Sequence, residues 1–361
     1  MTAAPTSAPR SLAIISPAQD FLFFFLSAAA VLVVWFASTG LHVDGYTILA
    51  AVAVTSNGPH LVSTWTRVYF DPREWKARPV ALVVMPALVG IAVFTITVQL
   101  GLFGQRLLNS IILYWATWHF VAQNWGILRI YQRKSGEPAT SLGLKLERPL
   151  LLLIVLFCMA HRISTGPRVL FGVEVLYPPL PRALVLSLLL PIGVLTGLLV
   201  AQRLKERREA WATAGWIRVA FIACSFLGFF VPFQLITTDD TSAFAAAASW
   251  HGFQYLGMVR YYHRNTWRSG VDPNARLISW LSQPGRARAA LYVALLLAMA
   301  GAVYGVIFGL SLVTPWDFST WAAIVWVSLT LSHYWIDGVI WKLRRPELAQ
   351  RVGIDVAASP A

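Results

Sequence analysis

The chain has 361 residues, 57% hydrophobic and only 12% charged, with a formal net charge of +13. Soluble domains carry about a quarter charged residues, so this balance points to lipid as the solvent. The apolar content excludes disorder, the absence of a glycine period excludes collagen, and two cysteines cannot staple a disulfide scaffold.

Apolar runs recur along the whole chain, at 20–40, 46–70, 80–103, 107–132, 149–163, 183–200, 211–236, 241–262, 289–312 and 318–342. About 20 apolar residues in a helix cross a bilayer core of about 30 Å, and continuous runs argue against alternating barrel strands. The expected fold is therefore all-α: a polytopic integral membrane bundle of about ten transmembrane helices. The first run has a single arginine before it and no A-x-A site after it, so it reads as an anchor rather than a cleaved signal. The runs at 149–163 and 183–200 are the shortest. The run at 241–262 is alanine-rich, interrupted by His251, and the least hydrophobic.

The basic residues alternate between loops. With a cytoplasmic N-terminus, the inside segments hold Arg73, Lys76, Arg78, Arg133, Lys134, Lys145, Arg148, Arg203, Lys205, Arg207, Arg208, Arg264, Arg268, Arg276, Arg286, Arg288, Arg344 and Arg345. The outside loops hold only Arg106, Arg162, Arg168 and Arg182. This is the positive-inside pattern. It places both termini in the cytoplasm and explains the net charge by topology, with attraction to anionic membrane lipid as a by-product. No nucleic-acid partner is needed. The expected domains are a cytoplasmic tail at 1–19, one membrane domain at 20–342 and a basic cytoplasmic tail at 343–361, as in a multi-pass protein of a bacterial inner (plasma) membrane. Between 262 and 288, Trp267, Leu277, Ile278, Trp280 and Leu281 alternate with basic residues, which suits a short interfacial helix. Cys158 and Cys224 lie in different helices and read as buried small residues.

The seven histidines carry the most information. His42, His161 and His263 stand at helix ends or in loops, where a titrating surface histidine is the default. His60, His119, His251 and His333 fall about 10–15 residues into the second, fourth, eighth and tenth runs, which is a depth of about 15–22 Å. All four runs go from outside to inside, so one slab near the bilayer centre contains them all. Intramembrane ionisable groups face a bundle interior or a cavity, and neutral imidazoles suit iron, copper or zinc. One turn further along lie Thr64, Gln123, Gln254 with Tyr255, and Asp337, polar groups of the kind that orient ligating histidines. Gly58-Pro59 should kink the second helix just before His60.

Arg67, Arg129, Arg260 and Lys342 lie two to three turns towards the cytoplasm. They either snorkel to the headgroups or grip the polar end of a lipid-like substrate. Trp341 fits an interfacial belt. Trp118 and Trp250, beside histidines at mid-depth, should pack the core or line an apolar slot. There is no P-loop, G-x-S-x-G, H-E-x-x-H or G-x-G-x-x-G, and no histidine box of the membrane desaturases.

Gly58-Pro59-His60 and, 59 residues later, His119-Phe120 resemble the first two histidine motifs of the Brp/Blh family, membrane dioxygenases that split β-carotene into two retinals. The resemblance spans about seventy residues. It implies non-haem iron held by histidines of several helices, His60 and His119 among them, with dioxygen as co-substrate. Val121 stands where the family has glycine, and the family's later close pair of histidines is not reproduced. The sequence thus predicts a membrane metal-dependent oxidoreductase, an oxygenase by class, acting on a hydrophobic lipid- or carotenoid-like substrate. His60, His119, His251 and His333 are the expected metal ligands, and Gln123, Gln254 and Asp337 act beside them. Trp118, Trp250, Tyr255, Arg67, Arg129 and Arg260 are the candidate substrate contacts. A b-type haem electron carrier, with Ala245–Ala248 admitting the macrocycle, and a proton-linked transporter are the alternatives.

Overall fold

The structure is a computed structural model that describes residues 12–166 and 168–354. Most of the expected N-terminal tail and the end of the C-terminal tail lie outside the described residues. Among those described, the regular secondary structure is helical apart from one antiparallel pair of two-residue strands, Val169–Leu170 with Val173–Glu174.

Helix occupies each of the ten expected places. We label the segments α1 (Pro17–Gly40), α2 (45–68), α3 (80–100), α4 (102–135), α5 (Leu142–Ser164), α6 (Arg182–Arg208), α7 (Ala212–Leu235), α8 (Asp240–Thr266), α9 (Arg286–Val313) and α10 (Phe318–Ile340). Six helical stretches, with 80–135 counted once, are long and apolar enough to cross a membrane. α2, α5 and α8 fall outside that set. α2 and α8 carry buried polar residues, and α5 begins earlier than expected, with Lys145, Glu147 and Arg148 in its first turns.

α3 and α4 run on without a loop. At Gly101 the backbone turns to φ 51° and ψ −127°, a conformation that suits only glycine. Three residues later, a Cβ on Gly104 would lie 2.3 Å from the carbonyl oxygen of Ile96. Residues eight apart in a straight helix are about 12 Å apart, so the chain doubles back here. The ring contacts agree: Phe94 meets Trp321 near the start of α10, while Trp335 near its end donates to the carbonyl of Ala81. The long helical stretch is therefore an antiparallel pair flanking α10.

α2 departs from regular helix where the sequence requires it. Pro59 has no N–H to give, and residues 53–57 widen into a π turn in which the Gly58 N–H reaches the Ala53 carbonyl. The expected kink takes this form. α8 is buried along most of its length, and its run Ala245–Ala248 packs tightly against α1 and α2. The expected short helix after α8 is Arg276–Leu281. Its Ile278 and Leu281 pack towards α9, while Leu277 and Trp280 face outward.

Two features depart from expectation. Arg203, read as a loop cation, is buried with Arg218 among Glu137, Glu147 and Glu206. Arg203 donates to Glu147 at 2.6 Å and to Glu137 at 2.9 Å, and Arg218 pairs with Glu147 and Glu137. This cluster ties α5, α6 and α7 together. His263, read as a surface residue, is fully buried beside Trp267 and Tyr292, and neither ring nitrogen has a partner.

Candidate metal centre

His60, His119, His251 and His333 converge. All four are buried, and one ligand nitrogen from each lies within 4.8 Å of the others. The rings stack edge to face, with centroids 4.4 Å apart for His60 and His333 and 4.8 Å for both His60–His251 and His119–His251. Glycine allows this approach: a Cβ on Gly252 would sit 3.3 Å from the Ser56 carbonyl and 3.5 Å from the His60 Cβ, so α2 and α8 meet at the level of the rings.

The donor set fits a metal ion. His119 Nε2 and His333 Nε2 are 3.2 Å apart, close to the roughly 3.4 Å between two nitrogens tetrahedrally bound at about 2.1 Å. Both nitrogens of His60 and of His251 are buried without any hydrogen-bond partner. Each such orphan costs about 1–3 kcal/mol. A cation at the shared centre would relieve one on each ring.

The rings are oriented from across the bundle. Trp341 Nε1–H donates to the Tyr255 hydroxyl at 3.3 Å, and that hydroxyl donates to Asp337 Oδ1 at 2.7 Å. With its one proton spent, Tyr255 can only accept from Thr64, whose hydroxyl lies at 2.8 Å. Thr64 in turn accepts from His333 Nδ1, also at 2.8 Å. The chain of donors therefore fixes the His333 tautomer and leaves the Nε2 lone pair facing the centre, as a ligand requires. Asp337 Oδ2 stands 3.6 Å from His333 Nε2 and 3.8 Å from His119 Nε2.

The other polar companions act differently from expectation. Thr64 serves His333 rather than His60, on its own helix. Gln123 donates to the His251 carbonyl at 3.1 Å and to Gln254 Oε1 at 3.0 Å, so it holds the α8 backbone rather than a ring nitrogen.

A cavity of about 470 Å³ reaches His119 and Asp337 between α4, α8 and α10. Of the expected substrate contacts, Trp118 and Tyr255 line it, and Trp118 remains 54% exposed at its side. Trp250 does not: it is wholly buried, edge-on to Phe229 and against Gly228, where an extra carbon would clash with its ring. Arg67, Arg129 and Arg260 do not line it either. Arg67 is buried between the rings of Tyr262 and Trp341 and donates to the Ile340 carbonyl. Arg260 donates to the Leu281 carbonyl, and Arg129 lies beside Trp125. Aromatic faces and free carbonyls hold these cations inside, which overturns simple snorkelling for Arg67. Lys342 does line the cavity. Trp341, expected in a belt, is a cavity wall.

Sequence reasoning missed Tyr334, whose ring centroid is 4.6 Å from that of His119, and also Trp115 and the wall glycines Gly126 and Gly338. Their signal was position: Tyr334 follows His333, and Gly126 and Gly338 sit one or two turns beyond His119 and His333.

No family model, curated protein or solved structure matches this chain.

Proposed function

We propose that the chain is a ten-span membrane protein with cytoplasmic termini, and that His60, His119, His251 and His333 hold one first-row metal ion that serves oxidation of a hydrophobic substrate. The observation that carries this reading is the buried four-imidazole cage, two of whose rings have no other partner, opening onto an aromatic cavity. Bound iron would supply the activation of dioxygen, as the resemblance of Gly58-Pro59-His60 and His119-Phe120 to the Brp/Blh dioxygenases suggests.

The protein's own part is positioning. Thr64, Tyr255 and Asp337 hold His333 in its ligating tautomer, Gln123 fixes the α8 backbone at His251, and the tryptophan walls exclude water from the reacting bond. Trp118, open at the side, gives a lipid-dissolved substrate a way in. The carboxylate of Asp337 faces both the cavity and the centre, where it can accept a proton. The geometry disfavours haem: rings 4.4–4.9 Å apart leave no flat gap for a macrocycle, and Ala245–Ala248 is already packed.

Elemental analysis of the purified chain tests the reading. We expect one metal ion per chain, lost in each single His→Ala variant and unaffected by His263→Ala. A wild-type protein that binds no metal under reducing, metal-replete conditions overturns it.

A further inference from the structure

The cavity is unevenly charged. Among its lining residues Asp337 is the only acid and Lys342 the only lysine or arginine. The wall between them is apolar: Gly126, Ile127, Ile130, Met258 and Val339. Lys342 is exposed at the far end and has no ion pair among the described residues. The surroundings of that end are cationic as well. Arg133 donates to the Leu343 carbonyl at 3.0 Å, and Arg344 and Arg345 follow in sequence.

The long axis follows α10. From His333 to Ile340, the last residue of α10, is seven residues, about 10 Å, and Lys342 lies two residues beyond. The slot continues past the centre to Trp115 and Trp118, which are 36% and 54% exposed on the flank of the bundle. Its width comes from glycine: a Cβ at Gly126 or Gly338 would meet nothing within 4 Å. At about 30 Å³ for each water-sized group, the 470 Å³ volume holds about fifteen groups of methylene size.

We infer that the substrate is a single-chain amphiphile with an anionic end, its charge held at Lys342 and its chain running past the four histidines to leave between Trp115 and Trp118. The inference rests on the oxidative reading above and specifies its substrate class. The position of the reacting bond follows. At about 1.3 Å of advance per bond of an extended chain, the bond beside the centre is at least about eight bonds from the charged group. Asp337, beside the four histidines, repels an anion and so keeps the charged end at Lys342.

The test is equilibrium binding to the full chain in nanodiscs, with radiolabelled oleate, oleyl alcohol and lysophosphatidate as probes. Gly126→Leu fills the slot and serves as the blank for partition into lipid, with Gly338→Leu as a second occluding variant. We expect oleate to bind above that blank. Lys342→Gln should weaken it about tenfold, as loss of one charge-assisted contact does, and should leave oleyl alcohol unchanged. Lysophosphatidate bound more tightly than oleate, with the same dependence on Lys342, would assign the anion to a lipid phosphate and still support the proposal. Equal effects of Lys342→Gln on oleate and oleyl alcohol, or oleate binding indifferent to both glycine variants, would overturn it. Metal content measured on the same samples keeps the two readings apart: a chain without metal that binds oleate through Lys342 removes the oxidative chemistry and leaves the slot.

Discussion

At the scale of single residues, the site is a balance between buried donors and acceptors. His333 is the best-oriented of the four histidines because Thr64, Tyr255 and Asp337 decide which nitrogen carries its proton. Thr64→Val and Tyr255→Phe should each weaken metal binding by about 10–100-fold, the usual effect of removing a ligand's hydrogen-bond partner. Trp341→Phe, which removes only a donor to Tyr255, should cost less. A chelator competition titration reads all three, and unchanged affinity in both Thr64→Val and Tyr255→Phe would refute the orienting chain. His263 is the contrasting case, a buried imidazole without a partner and outside the cage. His263→Phe should leave metal stoichiometry intact, since it exchanges orphaned polar atoms for apolar ones. The four converging histidines were legible in the sequence because an ionisable group deep in an apolar run needs a reason to be there. Their partners were less legible. Periodicity matches a histidine with a neighbour on its own helix, whereas the Thr64–His333 bond crosses from α2 to α10, a contact that only packing creates.

At the scale of helices, close approach is bought by glycine and fixed by buried charge. Gly104→Ala puts a carbon against the Ile96 carbonyl and should cost about 1–3 kcal/mol, as overpacking does, seen as a lower melting temperature in detergent. Arg218→Met should cost more, about 3–5 kcal/mol, because it leaves the buried Glu137 and Glu147 sharing Arg203 alone. A melting temperature unchanged by Arg218→Met would mean that water reaches the cluster. Neither feature was readable beforehand. The sequence suggests a short loop near residue 105, since Arg106 looks like a loop residue, but the reversal lies at Gly101 and needs no loop. Arg203 reads as a cation near the end of its helix, yet nothing in its local sequence shows that Glu137 and Glu147 from other segments join Glu206 around it.

At the scale of the molecule, the ten helical places were readable because hydrophobic length is a local property, and the charge alternation predicts an orientation for them. Cysteine accessibility tests that orientation. In a chain with Cys158 and Cys224 replaced by alanine, an impermeant maleimide applied outside intact cells should label Asp44→Cys and Arg182→Cys, and should label Lys205→Cys and Arg345→Cys only after permeabilisation. Labelling of both sets from one side would break the ten-span arrangement.

The π turn at 53–57 governs more than its own five residues. Ile48, Val52, Ser56, His60 and Thr64 are all buried and stand four apart. In a regular α-helix, four such steps swing the face by about 160°, so the first and last of these side chains would look in nearly opposite directions. The wider turn winds part of that swing back and lets one stripe serve both the packing core and the ligand shell. Deleting the outward-facing Thr55 should restore ordinary winding and rotate one half of α2 against the other by about 100°. The deletion is expected to abolish metal binding or folding, while Thr55→Ala does neither. One extra residue, with no chemistry of its own, thus acts as the phase adjustment that keeps His60 in register with the other three rings.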